Sequence, residues 1–199
     1  MTLRVFKIGL VGYGWWGRRL FDFFNQRKNV EMVAVHDVTE NAIKACDLAG
    51  AKFYTDIEKM FDKEKMDGVI IATPPAHHLR PTRMAAERGI HIFCEKPMAH
   101  TVEDCDAMIK VCEANKVKLF IAFKHRYAGA CRFLKKNMPE YGKCMWAMYT
   151  YPLCRISDPG WKFKDGECKG VILENTVHAI DNLRYLVGSD VERLYAEGD

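Results

Sequence analysis

An α/β architecture with a parallel sheet covered on both faces is expected from three features of the chain. Its strand-like runs lack polar alternation, stretches with helical spacing separate them, and glycine or proline clusters close them. Right-handed crossovers then bring the C-terminal end of every strand to one edge, where ligands bind in such folds.

Residues 5–11 are apolar and run into Gly12, Gly14 and Gly17, which reads as strand, tight turn and helix. Leu20, Phe23 and Phe24 are the expected core-facing stripe of that helix. Residues 30–36 form the next strand. Thr39 then caps a helix turning Ala42, Ile43, Cys46 and Ala49 inward, and Gly50 ends it. A short strand over 52–54 precedes Thr55, whose spacing to Glu58 makes a capping box. The apolar strand at 68–72 stops at Thr73-Pro74-Pro75, because proline cannot continue a ladder, and a helix over 77–88 closes at Gly89. A fifth strand covers 90–94. Thr101 with Asp104 opens a helix through Asn115, and 117–122 is the sixth strand.

Beyond residue 122 the alternation stops. The pattern predicts a helix over 126–137, a break at Pro139 and Gly142, a strand over 143–151, a polar loop, a helix over 174–187 and a strand stub at 191–196. The chain therefore divides into a dinucleotide-binding domain at 1–122 and a substrate and oligomerisation part at 123–199. That second part is an incomplete α+β open sheet, since one strand, one helix and a stub cannot bury a sheet face.

Composition narrows the function. With 199 residues and 49% hydrophobic content, the chain can bury one good core beside a smaller second part. A net charge of +4 without a block of like charges gives no electrostatic case for a nucleic-acid or membrane partner. The eight cysteines lack any Cys-x-x-Cys pair, which points to reduced thiols in the cytoplasm. Arg4 and Lys7 interrupt the first apolar stretch, so it reads as a strand rather than a secretory signal. His77-His78 has no cysteine or carboxylate at ligand spacing, so no metal site is expected.

The glycines carry the first chemical signal. Gly12 permits the turn, Gly14 lets the backbone approach a ligand, and Gly17 lets the helix lie close on the strand, with a pyrophosphate at the helix N-terminus. Asp37 follows twenty positions beyond Gly17, at the end of the next strand, where an acidic side chain holds a ribose hydroxyl. No arginine follows it immediately to neutralise a 2′-phosphate, so NAD is expected in preference to NADP.

Four motifs in order complete the pattern: Gly12-Tyr13-Gly14-Trp15-Trp16-Gly17, Ala72-Thr73-Pro74-Pro75 with His78 following, Glu95-Lys96-Pro97, and residues 170–173 leading to His178-Ala179-Ile180-Asp181. Together they resemble the Gfo/Idh/MocA family, the glucose-fructose oxidoreductase and inositol dehydrogenase group. The resemblance implies a Rossmann domain followed by an open-faced sheet, with hydride passed between NAD or NADP and a sugar, polyol or related carbonyl. It also implies cofactor contacts from the glycine motif with Tyr13, Trp15 and Trp16, and from Thr73, Pro74, His78, Glu95, Lys96, Arg126 and Trp161. The chain departs from the family pattern at Glu174, where many members have Asp, and at Thr176, where many have Gly. A small-molecule sugar or polyol partner and a homo-oligomeric full-length form are the matching expectations.

Two readings of the residues stand beside this resemblance. Pro97 forces Lys96 into an extended conformation, which aims its ammonium just beyond a strand end. Glu174, His178 and Asp181 fall at i, i+4 and i+7 on one helix face, opposite Leu173, Ile180, Leu183 and Val187. On spacing alone these are as readily a surface lysine and a solvated polar stripe; the resemblance makes Lys96 and His178 the expected proton-handling pair, with Glu174 and Asp181 orienting them. The rival readings are a non-catalytic NAD-binding member that senses cofactor or binds a partner, and an NAD-assisted glycoside hydrolase.

Overall fold

The computed structural model of the protein describes residues 4–150 and 172–197. Its strands are β1 (Phe6–Val11), β2 (Val30–His36), β3 (Lys52–Tyr54), β4 (Gly68–Ile71), β5 (His91–Cys94) and β6 (Leu119–Ile121). Between and after them run α1 (Trp15–Asn25), α2 (Ile43–Ala49), α3 (Ile57–Lys63), α4 (Leu79–Glu87), α5 (Val102–Ala114), α6 (Gly129–Asn137) and α7 (Val177–Val187). The six strands make one sheet in the order β3-β2-β1-β4-β5-β6, with every neighbouring pair parallel. Strand order reverses between β1 and β4, and at such a switch point a crevice opens beyond the strand ends.

The lack of polar alternation in the strands is explained by the two cores they serve. Successive residues point to opposite faces, so Leu10 and Ile70 enter one core while Val11, Val69 and Ile71 enter the other. Phe21, Ala42 and Cys46 from the α1 and α2 side complete the first; Met60, Ala85, Met108 and Cys112 from α3, α4 and α5 complete the second. Each fully buried Ile or Leu contributes about 1.5–3 kcal/mol. Half-polar strands would forfeit that on one face.

Several local expectations shift. In α1 the buried positions are Gly17 and Phe21, with Leu20 and Phe24 packed behind, while Phe23 is exposed under the Arg27 guanidinium, 4.0 Å from its ring. The phase is set by Gly17, which must face the glycine loop, so residues four and seven further on turn inward. The α3 cap is Asp56, whose carboxylate accepts from the Glu58 and Lys59 N–H groups, in place of the Thr55 box. Thr101 does cap α5, accepting from the Asp104 N–H. Gly50 and Gly89 close their helices with φ of +71°.

The second part differs more. Residues 124–127 form a 3₁₀ turn separate from α6, and 143–150 and 191–196 hold no strand. A strand exists only where another backbone completes its ladder, and none does so here among the described residues. Tyr141, Met145, Trp146, Met148, Leu194 and Tyr195 are accordingly exposed. Among the described residues no helix is long and apolar enough to cross a membrane.

Candidate active site

Along the C-terminal ends of β1, β2, β4, β5 and β6 lies a crevice of about 1250 Å³, closed at one end by Glu174, Asn175 and His178. The glycine loop after β1 forms its floor. Gly12 has φ +94°, and a Cβ there would sit 2.9 Å from the Ala72 and Thr73 backbone; one on Gly17 would sit 1.9 Å from the Gly12 carbonyl oxygen. Those two glycines are required by the fold. Gly14 is different: nothing lies within 4 Å of its missing Cβ, and as N-cap of α1 it offers no side chain to the first-turn N–H groups. An open backbone approach and uncapped donors at a helix N-terminus make an anion site.

Asp37 lines the crevice after β2. Its Oδ2 accepts from the Tyr13 N–H at 2.6 Å, and its Oδ1 from the Thr39 N–H at 2.9 Å and hydroxyl at 2.8 Å. The carboxylate is thus pinned against the glycine loop. Trp16 Nε1–H donates to Glu95 Oε1 at 2.6 Å, and Lys96 N–H to Glu95 Oε2 at 3.2 Å. Burial pushes the Glu95 carboxyl above its ordinary value against both donors. Trp15 stacks on Trp16 with ring centroids 5.6 Å apart.

His78 does not reach the crevice. It is 0% exposed, with Nδ1 3.1 Å from the Met98 carbonyl oxygen and Nε2 2.8 Å from that of Thr73. The ring therefore braces the loop after β4 against the loop after β5, and burial holds it below the ordinary histidine value. Its neighbour His77 lines the crevice with Thr73 and Pro74.

At the closed end, Lys96 and Glu174 meet across 78 residues of chain: Nζ lies 2.9 Å from Glu174 Oε1 and donates to the Glu174 carbonyl oxygen at 2.6 Å. Glu174 belongs to a π-helical turn, Ile172–Thr176, leading into α7. The polar face of α7 is the buried one, with His178 only 5% exposed, while Ile180 faces out. His178 stacks on His125, centroids 4.1 Å apart and planes at 16°. Desolvation first, then His125, Lys96 and Lys124, lower its pKa to about 4.

Asp181 and Arg126, expected beside the proton-handling pair and at the cofactor, hold each other instead. The guanidinium takes both carboxylate oxygens, with Nε 2.8 Å from Oδ2, and neither residue is among the described ones lining the crevice. Asp181 shares a helix face with His178 but lies almost a turn further along, past the crevice. A buried carboxylate there needs its own counter-charge. Trp161 lies outside the described residues. Lys124, His125 and Asn175 line the site without having been anticipated. The first two open the 3₁₀ turn that begins three residues beyond β6, and position near a strand's C-terminal end was the signal available.

The histidines make stability pH-dependent. Below about pH 6.5 an unfolded histidine takes a proton, whereas folded His178 refuses one until about pH 4. His36 and His125 are lowered too, chiefly by burial. Stability is therefore whole above about pH 6.5 and declines as pH falls toward 4. The urea midpoint should drop between about pH 7.5 and about pH 5; an unchanged midpoint would mean these rings are open to water.

Comparison with known proteins gives concordant matches. Residues 6–123 match Gfo/Idh/MocA, an oxidoreductase family with an NAD-binding Rossmann fold. The chain is 29% identical over 193 residues to a 2,7-anhydro-N-acetylneuraminate hydratase of Mediterraneibacter gnavus, covering 95% of this chain and 51% of that protein. It is 26% identical over 202 residues to a myo-inositol 2-dehydrogenase of Thermotoga maritima, covering 96% and 58%. Among solved structures it superposes on the WlbA dehydrogenase of Bordetella pertussis, in complex with NADH and UDP-GlcNAcA, with a TM-score of 0.80, 26% identity, and 94% and 58% coverage. The chain spans about half the length of the curated relatives it matches.

Proposed function

Since the chain belongs to the Gfo/Idh/MocA oxidoreductase family, we propose that it contributes the cofactor site and proton-handling residues of an enzyme that moves a hydride between NAD and a CH–OH group of a sugar or polyol. Residues 1–122 serve the cofactor and supply Lys96 to the substrate oxygen, and 123–199 serve the substrate. The observation that carries this reading is the meeting of Lys96, Glu174 and His178 at the closed end of a crevice whose other end is a glycine loop.

A dinucleotide suits the residues present: open backbone at Gly14, free donors at the start of α1, and the Asp37 carboxylate at the end of β2. When bound, the nicotinamide supplies the hydride acceptor or donor. The chain supplies the rest. Lys96 donates a hydrogen bond to the substrate oxygen and stabilises the negative charge that develops there. His178, neutral over the working pH range, takes the hydroxyl proton as the hydride leaves carbon, and returns it in the reverse direction. Glu174 anchors the Lys96 ammonium through both its carboxylate and its carbonyl oxygen. Nicotinamide absorbance over a panel of inositols, hexoses and sugar acids tests the reading; binding of NADH without turnover on any of them would reverse it in favour of the non-catalytic alternative.

The preference for NAD rests on Asp37. A 2′-phosphate beside its carboxylate brings like charges together, worth roughly 1–4 kcal/mol near a protein surface. NADP should therefore bind roughly 10–100-fold more weakly than NAD in a fluorescence titration. Asp37→Ser should weaken NAD binding and narrow the gap. Tighter binding of NADP by the unaltered chain would sink the assignment.

A further inference from the structure

Resting on the function proposed above, the inference concerns which sugars the site accepts. The charged groups at the closed end are mostly committed. Glu174 holds Lys96 at 2.9 Å, and the Glu95 oxygens accept from the Trp16 indole and the Lys96 backbone. Lys124 is the exception. Among the described residues it makes no ion pair; its Nζ sits 4.0 Å over the Trp16 ring and faces the crevice.

That placement is built rather than incidental. The Trp16 ring is fixed on one edge by Glu95 at 2.6 Å and on its face by Trp15, and Arg19 lies 4.1 Å from the Trp15 ring. The result is a stack of cation, two indoles and cation, in which both indoles line the crevice and Lys124 is the cation that does. An indole face holds an ammonium without neutralising it. Burial chiefly lowers the Lys124 pKa; the Glu95 and Glu174 carboxylates oppose this, and Lys96 and Arg19 add to it, so nearby carboxylates act on the ammonium without forming an ion pair with it among the described residues. Lys124 also lies within electrostatic range of His178 and His125, so it serves the reacting end of the crevice.

We propose that Lys124 is a specificity-determining residue, and that the sugar it selects carries an anionic substituent, a carboxylate or a phosphate, which occupies the crevice beside the Lys124 ammonium and forms an ion pair with it. A charged hydrogen bond of this kind corresponds to roughly 10–100-fold in affinity. Lysine presents a point charge rather than a planar fork, so it accepts either anion.

The test uses the full chain loaded with NADH, with sugar binding read by tryptophan fluorescence and calorimetry. D-glucuronate and D-galacturonate are compared with D-glucose and D-galactose, and glucose 6-phosphate separates phosphate from carboxylate. At least one anionic sugar should bind roughly 10–100-fold more tightly than its neutral counterpart. Lys124→Gln should erase that preference, Lys124→Arg should keep it, and NADH affinity should be nearly unchanged in both. The assignment is overturned by equal binding of charged and neutral sugars, by binding of no anionic sugar, by a preference that survives Lys124→Gln, or by a loss of NADH affinity as large as the loss of sugar affinity. That last result would place Lys124 on the cofactor pyrophosphate. Selective binding without turnover would overturn the proposed reaction and keep Lys124; turnover of neutral polyols without selectivity would do the reverse.

Discussion

Replacing His178 with alanine should lower kcat by roughly 10²–10⁴, the usual loss when a general base is removed, while NADH affinity stays close to that of the parent. The hydroxyl proton has to leave as the hydride does, and His178 is the ring at the closed end whose buried Nδ1 has no hydrogen-bond partner among the described residues. Lys96→Ala should do comparable damage by removing the donor to the developing oxyanion, roughly 10²–10³. The pair is separable by pH. Because the His178 pKa is lowered to about 4, the acid limb of the kcat/KM profile should lie well below the ordinary histidine value and vanish in His178→Ala, while Lys96→Ala retains a limb moved upward by the loss of the Lys96 charge. Wild-type turnover in both variants would place the chemistry elsewhere in the crevice.

Gly17→Ala should cost the fold. Its Cβ would meet the Gly12 carbonyl oxygen at 1.9 Å, and that oxygen is backbone in a turn that cannot yield without moving β1 from α1. Overpacking of this kind costs about 3 kcal/mol, or a fall in Tm of roughly 6–12 °C for a chain of this size. Gly14→Ala should do the opposite. With φ of −67° and open space around it, the alanine folds with stability changed by only about 0.5 kcal/mol, yet its methyl occupies the approach to the α1 N-terminus. NADH affinity should fall roughly tenfold or more, from about 1–3 kcal/mol of overlap. Equal melting temperatures for the two variants would refute this division between the glycines.

The sheet was legible in the sequence because its signal is strong and local. A strand buried on both faces must be apolar at every position, and each run ends in a turn-former. The convergence of Gly12, Asp37, Thr73 and Lys96 on one edge followed from parallel topology alone. What stayed hidden depends on neighbours that spacing does not name. Helical periodicity put Asp181 on the His178 face, but only the fold shows that Arg126 claims it. Three-residue spacing suggested Phe23, and the close approach at Gly17 rotated α1 by one position. Nothing in the spacing singles out Lys124, because the indole beneath it is more than a hundred residues away in the chain. The strands expected at 143–151 and 191–196 were read from side chains, whereas a strand is settled by the backbone that pairs with it.

The strand order also dictates when the crevice can exist. β1 pairs with β4 only after the intervening crossovers have formed, and Lys96 meets Glu174 only when α7 has docked. Contacts of such long range are closed late, since the chain entropy of each loop is lost before the contact compensates for it. A growing or partly refolded chain can therefore own the whole glycine loop while possessing no reaction centre. On the proposed function, the surface that takes the cofactor would then form before the groups that handle the proton.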